Sequence, residues 1–125
     1  MVQTEVGGMT TLNKVTIGSS EYKIKRSMTL PSSYTKSNIQ FGEISLLEKE
    51  ILINARLPSN LQAEALLHEV LHGLFHSTGL NRSLSSFSCE SEEEIVTLLS
   101  RGLCGVFKTS PKLLDYLKDA VCAKP

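Results

Sequence analysis

The sequence predicts an α+β fold, in which a small antiparallel sheet in the N-terminal half of the chain is packed by about three helices. Before residue 55, apolar and polar residues alternate in several short segments, which is the period of a strand with one buried face. After residue 58, apolar residues recur every three or four positions, which is the period of an amphipathic helix. Strands followed by helices are typical of α+β domains, whose helices pack on one face of the sheet.

Four segments are predicted to be strands. Residues 14–17 and 21–25 alternate apolar with polar side chains around a Gly-Ser-Ser turn, so we expect a hairpin with one solvated face. Residues 39–46 and 50–54 follow, joined by a short charged turn that would make them antiparallel neighbours.

Three helices are predicted after the strands. The first runs over residues 61–77, with Ser59 or Asn60 as its N-cap and Gly79 as its stop. The serine-rich residues 81–91 are expected to form a loop. The second helix opens on three successive glutamates, residues 92–94. The third follows Ser110 and Pro111, which form an N-cap and N1 pair.

Length and composition indicate a single globular domain over residues 1–125, with a flexible polar end at 1–11. Thirteen basic and thirteen acidic side chains balance, so no basic field predicts a nucleic-acid partner. No apolar run reaches the roughly eighteen residues that span a bilayer, and the polar start lacks a signal-peptide core. Three widely spaced cysteines predict free thiols. We therefore expect a cytoplasmic protein without a membrane or nucleic-acid partner.

The run from Leu66 to His76 places imidazoles and a carboxylate in one apolar, helix-forming segment. His68 and His72 are four residues apart and therefore lie on one face of a helix, close enough to chelate one ion. Zinc suits neutral imidazole nitrogens, and its catalytic sites combine three protein ligands with a water. Glu69 can meet that water without binding the metal, which makes it a candidate general base. This is the H-E-x-x-H arrangement of zinc metallopeptidases.

A catalytic zinc site needs a third protein ligand. If the helix continues, His76 is excluded, because it lies eight residues from His68, about 12 Å along the helix axis. The glutamates that open the second helix are a better source, since that helix can pack on the first through its apolar stripe. The candidates, in order of preference, are Glu93, Glu94 and Glu92, followed by the thiolate of Cys89.

These motifs resemble a known family. The similar residues are the segments 42–45 and 51–54, the run 66–72, and Glu93-Glu94-Ile95-Val96 with Leu99. They resemble the compact zincin domain of ImmA/IrrE-type metallopeptidases, especially the small single-domain versions carried by phages and mobile elements, over roughly residues 39–117. The family's usual Glu-Ala-Asn helix signature is not matched cleanly here.

The resemblance implies one zincin-like metallopeptidase domain, in which His68 and His72 bind Zn²⁺ and Glu69 is the catalytic base. A glutamate of the second helix would be the third ligand. Some members of the family cleave repressors of mobile elements, which implies a protein or peptide substrate, such as a regulatory protein.

The predicted activity is hydrolysis of a peptide bond by a zinc-activated water, with Glu69 as general base. An exposed edge of strand 50–54 could hold an extended peptide by adding it to the sheet. Tyr34, Tyr116 and His76 are candidates for stabilising the oxyanion. The alternative is a non-catalytic zinc-binding module that recognises another protein, although a structural zinc site normally has four protein ligands. A third possibility is a helical interaction protein in which the histidine spacing arose by chance, and such a protein would bind no metal.

Overall fold

The α+β class predicted from the sequence is confirmed. The computed structural model describes residues 5–6, 9–10, 12–28, 41–83 and 89–123. Its elements, in chain order, are β1 (Glu5–Val6), β2 (Met9–Thr10), β3 (Lys14–Ile17), β4 (Ser20–Ser27), β5 (Gly42–Ser45), β6 (Glu50–Asn54), α1 (Ser59–Thr78), α2 (Leu80–Ser83), α3 (Cys89–Thr109) and α4 (Pro111–Cys122).

Four strands form the main sheet, in the order β3-β4-β6-β5. The two predicted hairpins are present, since β3 pairs antiparallel with β4 and β5 pairs antiparallel with β6. The hairpins meet through β4 and β6, which run parallel, so the sheet is mixed where the sequence predicted only antiparallel pairs. A tight turn sets the direction of the two strands it joins. The β4–β6 pair is made across a long connection that contains β5, so no turn fixes its direction.

The sheet buries one face against α1. Alternation along β4 and β6 turns every second side chain toward that helix. The buried residues of this first core cluster are Ile17, Tyr22, Ile24, Ile51, Ile53 and Ala65. The close approach of helix and sheet is visible at Gly73, where an added Cβ would lie 2.9 Å from Cδ1 of Ile17. α1 therefore lies directly on the sheet.

A second core cluster joins α1 to α3 and consists of Leu71, Phe75 and Val96. Leu71 and Phe75 are four residues apart on α1, and Val96 of α3 is fully buried against them. The next helix, α4, packs on α3 and contains no buried residue. The layers are therefore the sheet, α1, α3 and α4, and the site described below lies where the first three meet.

The limits of α1 differ from the prediction at one end. The helix begins at Ser59, and Pro58 occupies the N-cap position without a side-chain hydrogen bond. The predicted caps were therefore wrong, because Ser59 and Asn60 are already helical. The fixed φ of proline, here −63°, suits the position that precedes the first turn. At the other end Gly79, in the left-handed region at φ 78°, stops the helix as predicted.

The chain after α1 is more helical than predicted. α2 begins at Leu80 and covers the first three residues of the segment 81–91 that was expected to be a loop, and α3 begins at Cys89, before the three glutamates. Carboxylates near a helix N-terminus interact favourably with the helix dipole, so they stabilise this early start. Residues 84–88 of the predicted loop lie outside the described residues. α4 begins at Pro111 after Ser110, as predicted, although Ser110 makes no side-chain cap.

The remaining predictions on the chain concern its thiols and its ends. Cys104 and Cys122 are free, as expected, whereas the side chain of Cys89 lies outside the described residues. In the segment 1–11, expected to be flexible, β1 pairs antiparallel with β2, and the other residues lie outside the described part. Within the described ranges, no helix combines the length and the apolar character that crossing a membrane requires.

Candidate metal centre

Two helices bring three donor groups together. His68 and His72 project from the same face of α1, one turn apart, and Nε2 of one lies 3.2 Å from Nε2 of the other. The N-terminal part of α3 crosses in front of them and adds Glu93. Its Oε1 lies 2.8 Å from Nε2 of His72 and 3.2 Å from Nε2 of His68. Among the described residues, these three side chains form a group whose donor atoms all lie within 4.8 Å of one another.

The chemistry of the three atoms fits a cation. In a neutral imidazole only one ring nitrogen carries a hydrogen, and Nδ1 of His72 is engaged with the carboxylate of Glu92 at 2.5 Å. With the hydrogen on Nδ1, Nε2 of His72 presents a lone pair toward Oε1 of Glu93. Lone pairs converging at such distances repel unless a proton or a metal ion lies among them. Two imidazoles and one carboxylate are a donor set of catalytic zinc sites.

Glu92 contacts the back of the site. It is a buried residue, and its Oε2 accepts a hydrogen bond from Nδ1 of His72 and lies 3.8 Å from Nε2 of His76. Nδ1 of His76 lies 3.2 Å from Nδ2 of Asn81. A carboxylate on the outer nitrogen of a ligating histidine fixes its tautomer and ring orientation. Glu92 therefore occupies a supporting position, and His76 lies beyond it.

Glu93 is held from its own helix. Oγ1 of Thr97, one turn later on α3, donates a hydrogen bond of 3.3 Å to Oε2 of Glu93. This leaves Oε1 as the oxygen that faces both histidines. Glu94, the second choice from the sequence, is exposed and is absent from the described group of donors. The three successive glutamates thus lie in three different environments.

The electrostatics of the three donors follow from burial and from one another. Burial lowers the pKa of His68, in spite of the nearby charge of Glu93. For His72, burial is outweighed by the hydrogen bonds with Glu92 and Glu93, which raise its pKa. For Glu93, burial is likewise outweighed, here by the charge of His68 and the hydrogen bond with His72, so its pKa is lowered. The carboxylate of Glu93 is therefore stabilised in its charged form, the form that binds metals.

Glu69 is the most buried acidic residue of the described part of the chain. Glu69 is only 6% exposed. The backbone of β5 approaches its side chain, since a Cβ added at Gly42 would lie 3.4 Å from Oε2 of Glu69. Burial raises the pKa of Glu69 to about 7; the charge of His72 opposes this, and the charges of Glu93 and Glu43 add to it. A carboxyl group with a pKa near neutrality can both take up and release a proton under physiological conditions.

A cavity of about 530 Å³ opens over these residues. One wall is β5 with the residues flanking it, the floor is α1, and the opposite wall is α3. The charged and histidine side chains that line it are Glu43, Glu64, His68, Glu69, His72, His76, Glu92, Glu93 and Arg101. Five carboxyl groups against one guanidinium give the cavity an acidic character, which suits a bound cation. Oε1 of Glu43 is also buried without a hydrogen-bond partner among the described residues.

Two expectations about the surroundings of the site are corrected. The strand Glu50–Asn54 has no free edge, because β6 lies between β4 and β5. Among the described strands, the one at the sheet edge beside the cavity is β5, Gly42–Ser45. Tyr116, a candidate for oxyanion stabilisation, does not line the cavity and is 68% exposed on α4. Tyr34 lies outside the described residues, whereas His76 does line the cavity.

Sequence reasoning missed three contributors to the site: the supporting contact of Glu92, the hydrogen bond from Thr97 and the cavity position of Arg101. A signal for the last two was present. Residues 93, 97 and 101 follow one another at intervals of four, so they share one stripe of α3. No sequence pattern indicates that Glu92 turns toward Nδ1 of His72, because that depends on how α3 is rotated against α1.

Comparison of the chain with protein-family models, with curated proteins and with solved structures finds no match.

Proposed function

We propose that the protein is a zinc-dependent metallopeptidase that hydrolyses a peptide bond in another protein or peptide. The observation that carries this proposal is the convergence of His68, His72 and Glu93 beside a buried carboxyl group, Glu69, at the floor of an open cavity. A structural zinc site normally has four protein ligands. The described donor group has three, and a further carboxyl group lies beside it in the cavity.

In this proposal, Nε2 of His68, Nε2 of His72 and a carboxylate oxygen of Glu93 hold the ion. When bound, zinc supplies a Lewis acid that polarises a carbonyl group and lowers the pKa of a water. Glu69 accepts a proton from the attacking water and passes it to the leaving amine, which its pKa of about 7 permits. Glu92 keeps the hydrogen of His72 on Nδ1, so that Nε2 stays available as a donor to the metal.

The substrate enters beside β5 in this proposal. An extended peptide can add to a sheet edge by main-chain hydrogen bonds, and β5 is the edge strand that borders the cavity. The cavity beside β5 is also lined by His68 and His72. The resemblance to ImmA/IrrE-type metallopeptidases makes a regulatory protein of a mobile element the natural substrate class. The free thiols of Cys104 and Cys122 suit a cytoplasmic location, where thiols stay reduced.

The test compares the wild type with Glu69→Gln on a library of proteolytic peptides from a whole proteome, read by mass spectrometry, with zinc content measured in parallel. We expect about one zinc per chain in both proteins, and new peptide ends only with the wild type, because glutamine cannot accept the proton. Glu64→Gln is the matched control, since Glu64 lines the same cavity one turn before His68. Cleavage by Glu69→Gln at the wild-type rate would refute Glu69 as the base.

A second candidate function is a non-catalytic zinc-binding module that acts by binding another protein. The observation that favours it is the large number of apolar side chains left exposed on α3 and α4. The same experiment separates the two functions. A wild-type protein that carries zinc, produces no new peptide ends and retains a partner protein would support the binding module and reject the peptidase.

A further inference from the structure

The contacts around His72 do not end at Glu92. Oε2 of Glu92, which accepts the hydrogen bond from Nδ1 of His72, also lies 3.8 Å from Nε2 of His76. Nδ1 of His76 in turn lies 3.2 Å from Nδ2 of Asn81. These four side chains form one continuous series, which we call the outer network. Only its first member, His72, belongs to the group of donors that would bind the metal.

Helix geometry and the end of α1 bring the outer network together. His72 and His76 are four residues apart on α1 and therefore share one face of it. The left-handed Gly79 ends α1, and the chain turns into α2, whose second residue is Asn81. Glu92 reaches the two histidines from α3. The network therefore joins three helices beside the metal centre.

The hydrogen-bond donors of the outer network have one consistent arrangement. The amide nitrogen of Asn81 can only donate, so Nδ1 of His76 accepts, and the hydrogen of a neutral His76 is on Nε2. Nε2 is the nitrogen that faces Oε2 of Glu92. The same oxygen accepts the hydrogen on Nδ1 of His72. Asn81 thus directs the N–H of His76 at the carboxylate that orients His72.

Two N–H groups restrict the carboxylate of Glu92 more than one does. Glu92 is buried, and a buried carboxylate is unfavourable unless donors compensate its charge. In the described residues its ion-pair partners are His72 and His76. A carboxylate attracted from one side only could rotate about its own side-chain bonds, whereas attraction from His76 limits that rotation. Because an outer carboxylate orients the ligand that it contacts, this restriction should strengthen metal binding.

This arrangement distinguishes between two roles for His76, which also lines the cavity. A side chain that stabilises an oxyanion must direct a hydrogen at the substrate. In neutral His76 the hydrogen on Nε2 faces Glu92, and Nδ1 accepts from Asn81, so neither nitrogen offers a hydrogen to a substrate. We propose that His76 is a positioning residue for the metal ligand His72 and acts on it through Glu92. The proposal rests on the metal site of the proposed function and not on peptide hydrolysis.

A double-mutant cycle on zinc affinity, measured by competition with a fluorescent chelator, tests the proposal. His76→Leu should raise the zinc dissociation constant about 3- to 10-fold, less than the loss of a direct outer contact does. In a Glu92→Ala background the same substitution should change the constant less than about twofold, because the intermediate carboxylate is absent. His76→Gln can still donate an N–H toward Glu92 and should stay within about twofold of the wild type. Ser77→Ala, at the exposed neighbouring residue, is the control and should leave the constant unchanged.

Nitrogen-15 NMR of the imidazoles tests the hydrogen positions in the metal-free protein at about pH 8.5, where histidine is ordinarily neutral. We expect the hydrogen of His76 on Nε2 in the wild type, and a shift toward Nδ1 in Asn81→Asp, whose carboxylate can only accept.

Three results would each overturn the proposal. They are a hydrogen on Nδ1 of His76 in the wild type, an unchanged zinc affinity of His76→Leu, and an equal effect of His76→Leu with and without Glu92. A wild type that binds zinc but cleaves no peptide would reject the peptidase, while the cycle would still decide the role of His76. A wild type that binds no zinc would reject both.

Discussion

Replacing Glu69 with glutamine should stabilise the metal-free protein at neutral and alkaline pH. Glu69 is buried at the floor of a cavity whose walls contain Glu93 and Glu43, and its charge is therefore unfavourable in the folded state. Glutamine has nearly the same shape and no charge. The substitution removes the cost of keeping a carboxylate in this position while retaining the packing of α1 against β5.

The expected magnitude follows from the pKa of Glu69. Burial, the largest cause, raises it from 4.5 to about 7. Each pKa unit corresponds to about 1.4 kcal/mol, so the shift corresponds to about 3 kcal/mol. The folded state holds the proton more tightly than the unfolded chain, and stability therefore falls as pH rises from 4.5 to 7. Below this pH range the carboxyl group of Glu69 is protonated in the folded and the unfolded state and does not destabilise the fold. Above the range the carboxylate is charged in both states, and the full destabilisation is present.

Urea unfolding followed by circular dichroism, with a chelator present, measures this effect between pH 4.5 and pH 8. The free energy of unfolding of Glu69→Gln should exceed that of the wild type by about 3 kcal/mol at pH 8 and should approach it at pH 4.5. Glu48→Gln is the control, because it removes the same charge from an exposed turn. Its effect should stay within about 0.5 kcal/mol at every pH.

Two results would refute this reasoning. One is a difference between Glu69→Gln and the wild type that is the same at pH 4.5 and pH 8, since the effect would then not come from ionisation. The other is a Glu69→Gln protein that is less stable than the wild type at pH 8. That result would mean that the carboxylate is stabilised by its surroundings, and that Glu69 is charged when the protein is free of metal.

Three further predictions concern the site and two glycines of the fold around it. Glu92→Gln should weaken zinc binding about 10- to 100-fold without abolishing it, whereas His72→Ala should leave no measurable zinc. Competition with a fluorescent chelator distinguishes the two variants. Equal zinc affinities for the wild type and Glu92→Gln would contradict the supporting role of Glu92. Gly42→Ala should destabilise the protein by about 1 to 3 kcal/mol in urea unfolding, because the new Cβ would lie 2.9 Å from the carbonyl oxygen of Leu52; an unchanged midpoint would disprove the close contact. Gly79→Ala should cost about 1 kcal/mol, because its φ of 78° is strained for alanine, and a gain in stability would contradict this.

The sequence was informative wherever structure depends on neighbours along the chain. The hairpin β3–β4 and the hairpin β5–β6 were predicted because short turns join alternating segments. The position of α1 and its stop at Gly79 followed from apolar periodicity and from the left-handed preference of glycine. The helix start was wrong by two residues, since proline at the N-cap position offers no side chain that a capping rule would recognise.

Contacts between elements distant in sequence could not be read in this way. Successive residues of a helix point about 100° apart, so the rotation of α3 against α1 decides which of three successive glutamates reaches the histidines. Burial of Val96 and Ser100 sets that rotation. It turns Glu93 toward both Nε2 atoms, Glu92 toward Nδ1 of His72 and leaves Glu94 exposed. The sequence contained no geometric reason to prefer Glu93 to its neighbours; in the structure Glu93 is the one of the three that faces both Nε2 atoms.

The sequence by itself determined the local part of the site, which is two histidines on one helical face with a glutamate beside them. Residues four apart in a helix always lie on the same face. Only the tertiary structure decided what surrounds them. The parallel β4–β6 pair makes β5 the edge strand beside the cavity among the described strands, and the packing of α3 on α1 brings in Glu93 and Glu92. These contacts join segments that are twenty or more residues apart, and their geometry depends on side-chain packing that no local pattern encodes.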